Sequence, residues 1–90
     1  MYYAADRQKA ERVLTDLRSA RLGEAAAALA SLRRIRNEVA CEREGDLPRM
    51  QAWMSIRKLY DAFKAAPERD LKPLWQEAIA KTATWHQSLR

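Results

Sequence analysis

Only five residues of this 90-residue chain break helices, two glycines and three prolines, and they cluster at Gly23, at Gly45 with Pro48, and at Pro67 with Pro73. Proline removes an amide donor and clashes with the preceding turn, while an interior glycine costs about 1 kcal/mol relative to alanine. The stretches between these breakers are helix-forming throughout, so the chain reads as four helices. Short connections between helices of similar length favour antiparallel neighbours. The expected fold is therefore a small all-α antiparallel bundle of four helices, approximately 4–22, 24–44, 48–66 and 70–89, forming a single domain over 1–90.

Helical phase assigns each stretch a face. Ala10, Val13, Leu14, Leu17 and Ala20 make a narrow stripe in the first, and Ala25, Ala28, Leu29, Leu32, Ile35 and Val39 a fuller one in the second. The third carries Ala52, Ile56, Leu59, Tyr60 and Phe63 with Trp53 at the edge, behind Pro48 in the first turn. In the fourth, Asp70 is a candidate N-cap, Pro73 fits the first turn, and Leu71, Leu74, Trp75, Ala78, Ile79, Thr82, Trp85 and Leu89 form a broad stripe. Gly23 is the ambiguous boundary. The stripes on either side of it are offset by only about 50° at 100° per residue, so a fused first long helix is the alternative. The break is preferred because a continued register puts Glu24 where an apolar residue belongs.

Seventeen Lys and Arg against twelve Asp and Glu give a net charge of +5. The excess concentrates in the third stretch, but no run of like charge exceeds two residues, which favours a mixed solvated surface over a dedicated polyanion track. The first residues lack an apolar signal-like core, and the longest apolar run, Ala25 to Ala30, is too short to span a bilayer. The single cysteine, Cys41, suits a reducing compartment and leaves only an intermolecular disulfide open. A cytoplasmic protein without membrane contact is the expectation.

Enzyme chemistry finds little support. The chain has one His, no metal-binding HExxH, no phosphate-cradling glycine loop and no Glu-x-x-His pair, so no catalytic, cofactor-binding or metal-binding residue is assigned and no cofactor is expected. A Cys41/His86 nucleophile pair lacks an evident third orienting group. Glu38 and Glu42, four residues apart, read as a solvated pair whose repulsion Arg34 partly offsets.

Three surfaces remain as candidates. Met50 and Met54 fall on the polar side of the third helix with Arg57 and Asp61, and flexible methionines beside charges suit a protein partner. The ordinary alternative is that the first helix lies across them. Ala26, Ala30 and Cys41 lie opposite the aliphatic stripe of the second helix, a small-residue face suited to self-association. Arg49, Trp53, Arg57, Lys58 and Lys64 interleave cations with an aromatic, a pattern that meets phosphates and bases or simply packs as cation–π pairs at the core rim. Arg36 abuts the core and is expected to snorkel or to pair with an acid. These features together predict a small non-enzymatic protein-binding module, an adaptor, inhibitor or regulatory subunit and a homodimer, with nucleic-acid binding through the basic and aromatic edge of the third helix as the alternative.

Overall fold

The computed structural model describes the backbone of residues 2–19, 24–40 and 47–89, with side chains from Asp6 onward within those ranges. Four helices follow in order, α1 (Tyr2–Ser19), α2 (Ala25–Val39), α3 (Leu47–Ala65) and α4 (Lys72–Ser88), with no strand among the described residues. The four-helix expectation holds: Pro67 falls between α3 and α4, and Pro48 and Pro73 sit in the first turns of α3 and α4. Gly23, Gly45 and Cys41 lie outside the described residues.

Cross-helix contacts establish the directions. Arg12 meets Glu38 at 3.5 Å and Asp16 meets Arg34 at 3.4 Å, so as one residue number rises by a turn its partner falls by a turn. A fused helix would hold Asp16 and Arg34 about 27 Å apart at 1.5 Å per residue. The fused alternative is therefore corrected: Glu24 takes φ −112° and ψ 79°, leaves the helix, and the chain folds back. The same descending pairing links α2 to α3, α3 to α4 and α4 to α1, giving an up-down-up-down ring. Among the described residues α1 packs on α2 and α4, and neither α1 on α3 nor α2 on α4.

The core is the meeting of the four stripes. Leu17, Leu32, Ile35, Ile56, Leu59 and Trp85 are all shielded from water, with Leu29, Trp53 and Leu74 packed around them. Burying side chains of this size contributes about 1.5–3 kcal/mol each, which offsets backbone ordering that short isolated helices cannot offset alone. Ala20, from the expected first stripe, lies outside the described residues, and the buried set departs from expectation at two other places. Ala25 is exposed at the first position of α2, ahead of the point where the helices close on one another, and Ser55 joins the buried set.

Helix ends are stitched by side chains from neighbours. The Trp75 indole donates to Leu17 O at 2.8 Å, giving a carbonyl near the end of α1 a side-chain donor from α4. Trp75 also meets Phe63 edge-on, with centroids 6.1 Å apart, which ties the start of α4 to the end of α3. Asp70 acts from one residue further out than an N-cap, because Leu71 occupies that position and Asp70 Oδ1 accepts from Lys72 N at 3.2 Å. The second helix also stops short of 44: Ala40 leaves helical geometry with φ −42° and ψ 125°.

Candidate functional site

Helix α3 presents its inner face to the bundle and an opposite face to solvent. Met54 lies on that outer face, 58% exposed. Leu47, two turns earlier, is equally exposed, and these are the exposed large hydrophobics among the described residues. Met50 sits between them, half-buried, with exposed Arg57 and Asp61 continuing the line. Among the described residues the backbone of α1 stays away from that of α3, and Met54 is left exposed while Met50 is half-buried. Leu47 escaped the sequence reading because the helix was begun at Pro48. Its signal was nonetheless present: spacings of three and seven residues to Met50 and Met54 place all three on one side of a helix.

The neighbouring edge of α3 carries the aromatic and basic row. Arg57 holds its guanidinium carbon 5.5 Å from the Trp53 ring centre, one turn apart on the same helix. Trp53 is half-buried against the core, and Arg57 covers part of what remains. Lys58 and Lys64 are exposed, on different sides of the helix.

Arg49 is turned inward, away from the rest of that row. Its Nε donates to Val39 O at 3.4 Å and its Nη2 to Ala40 O at 3.2 Å, at the C-terminus of α2. Nη1 lies 3.7 Å from Asp6 Oδ1 of α1, and the guanidinium stands 5.6 Å from the Trp85 ring of α4. One side chain thus touches all four helices. A cation is well placed there, where the α2 dipole and the carbonyls at its C-terminus concentrate negative potential.

Tyr60 is the centre of a second cluster. Its hydroxyl accepts from Arg33 Nε at 3.4 Å, and the Arg36 guanidinium lies 4.5 Å over its ring. Of the two expectations for Arg36, to snorkel or to pair with an acid, no acid pair forms among the described residues; its guanidinium lies on an aromatic face and approaches Asn37 Oδ1 at 3.5 Å. Lys64 follows Tyr60 by one turn. The Arg33 hydrogen bond holds the phenol below its ordinary pKa, against the opposing effect of burial, and the charges of Arg33, Lys64 and Arg36 act in the same direction.

The remaining candidates are dispersed. Ala26 and Ala30 are exposed on α2, and their proposed companion Cys41 lies outside the described residues. Glu38 pairs with Arg12 on α1, and Arg34 turns to Asp16 instead of offsetting Glu38. A cleft of about 210 Å³ between α1 and α2 has that Asp16–Arg34 pair in its wall, and it is smaller than the several hundred Å³ usual for ligand sites. His86 Nε2 is buried 3.6 Å from Glu11 Oε1, beyond hydrogen-bonding distance. Among the described residues no three His, Cys, Asp or Glu side chains gather as a metal site would require, and no helix is long and apolar enough to cross a membrane. No protein-family model, curated protein or solved structure matches the chain.

Proposed function

We propose that this chain is a non-enzymatic protein-binding module of the cytoplasm, an adaptor, inhibitor or regulatory subunit that lays the outer face of α3 against another protein. One observation carries the reading: Leu47 and Met54 are each 58% exposed, two turns apart on one helix, with Met50 between them. An amphipathic helix normally turns its large apolar residues inward, and α3 does so with Ile56, Leu59 and Phe63. A second apolar line on the opposite side adds nothing to the bundle's own core. Methionine's unbranched, polarisable side chain adapts to a partner surface. Homodimerisation through the exposed Ala26 and Ala30 side of α2 completes the proposal, since small residues let a second helix approach closely.

The test substitutes Leu47→Asp together with Met54→Asp. Both positions are exposed, so the melting temperature is expected to move little, by the few tenths of a kcal/mol typical of surface changes. Capture of partner protein from extracts of the native organism is expected to be lost. Capture at the unsubstituted level would refute the α3 surface. Sedimentation over micromolar concentrations tests the dimer, and a monomer throughout would remove it.

A further inference from the structure

The arginines of this chain divide by the company they keep. Arg12, Arg34 and Arg49 each meet a carboxylate, of Glu38, Asp16 and Asp6 respectively. Arg33, Arg36 and Arg57 meet only neutral groups, namely the Tyr60 hydroxyl, the Tyr60 ring with the Asn37 amide, and the Trp53 ring. Arg33 and Arg36 meet at Tyr60 on the α2–α3 seam, with Lys64 one turn further along α3, while Arg57 lies one turn before Tyr60 over the Trp53 ring. Their charge is uncompensated by any acid within ion-pair distance among the described residues. The phenol of Tyr60, held below its ordinary pKa, senses the charges of Arg33, Lys64 and Arg36.

This seam adjoins the apolar line of α3. At 100° per residue Met50 and Arg57 are only about 20° apart around the helix, so cations border the exposed apolar side chains along one edge. We propose that the partner segment is acidic and amphipathic, its apolar residues covering Leu47, Met50 and Met54 while its carboxylates face Arg33, Arg36, Arg57 and Lys64. The inference rests on the protein-binding reading of α3 and adds the partner's chemistry. Arginine forks match carboxylates in pairs of parallel hydrogen bonds, so the rim supplies orientation as well as attraction. A nucleic-acid strand fits less well. Stacking needs open aromatic faces, but Tyr60 is buried beneath Arg36, and Trp53 is half-buried with Arg57 over it.

The experiment selects peptides of about 16 residues, roughly four helical turns, from a random display library against the full chain. Winning peptides are then titrated by fluorescence anisotropy against the unsubstituted protein, Met54→Asp, and the double variant Arg57→Gln with Lys64→Gln. The double variant leaves both Tyr60 contacts in place, and an unchanged melting curve confirms its fold. Net-acidic winners with apolar residues at helical spacing are expected, weakened about tenfold by the double variant, in line with losing two partly exposed ion pairs. Winners lost on Met54→Asp but without acidic bias, or indifferent to the double variant, would overturn the acidic partner and leave the α3 surface standing. Winners indifferent to Met54→Asp, or no enrichment, would overturn both. A fluorescent single-stranded oligonucleotide that binds more tightly than the winners, and fails on the double variant, would assign the cations to phosphate and overturn the proposal.

Discussion

Arg49→Met tests whether this arginine belongs to the bundle or to a ligand. The variant keeps an unbranched apolar stem of similar reach and removes the guanidinium. Two hydrogen bonds to the Val39 and Ala40 carbonyls are lost, at 3.4 and 3.2 Å. Their length puts them at the low end for charge-assisted bonds, about 1–1.5 kcal/mol each. The Asp6 contact at 3.7 Å joins side chains 18% and 30% exposed, and solvent screening reduces it to about 0.5 kcal/mol. The Trp85 face adds about 0.5–1 kcal/mol. Water reaching the exposed Ala40 returns part of this, leaving a net loss of about 2–3 kcal/mol. A domain of this size has about 5–13 kcal/mol in total, so the melting temperature should fall by about 8–20 °C. Urea denaturation followed by far-ultraviolet circular dichroism, with an unchanged slope, measures the loss directly. Arg49→Lys should recover only part of it, because one ammonium cannot serve two carbonyls and a carboxylate in that geometry. A loss under about 0.5 kcal/mol, or full rescue by lysine, would refute the capping role.

Two further predictions address the other stitched positions. Trp75→Phe keeps an aromatic ring against Phe63 but removes the donor to Leu17 O, and should destabilise by about 1 kcal/mol through loss of that buried hydrogen bond; an unchanged melting temperature would show that the bond contributes nothing net. Tyr60 should ionise below the ordinary tyrosine pKa of about 10, seen as the difference in alkaline absorbance between the native chain and Tyr60→Phe. Because the folded value is the lower one, its stabilising contribution is absent near neutrality. That contribution grows as pH rises through the folded pKa and is complete above the unfolded one. Arg33→Gln should move the ionisation back upward, and no movement would remove the hydrogen bond as its main cause.

The large apolar residues at the centre of the α3 and α4 stripes are legible in the sequence because an amphipathic helix with several of them has only one way to bury them. Ile56, Leu59, Phe63, Trp75 and Trp85 all lie inside, where their spacing puts them. The breakers likewise predicted the number of helices, since proline and glycine act through local sterics that need no partner. Met50 and Met54 could be assigned to a side of α3, but whether α1 covered them depended on which helices become neighbours. That was not written in either segment alone.

What the sequence by itself determined is the set of helices and the inward side of each, both consequences of local backbone preference and a period of 3.6 residues. Tertiary structure decided the fate of the charges. Arg33, Arg34, Arg36 and Arg49 are chemically alike, and a long flexible side chain can reach a carboxylate, a carbonyl or an aromatic face with similar ease. Only the antiparallel closure of α1 on α2 and α2 on α3 brings Asp16 to Arg34, Tyr60 to Arg33 and Arg36, and the end of α2 to Arg49. Those partners lie between 9 and 27 positions away along the chain, beyond the reach of any local pattern.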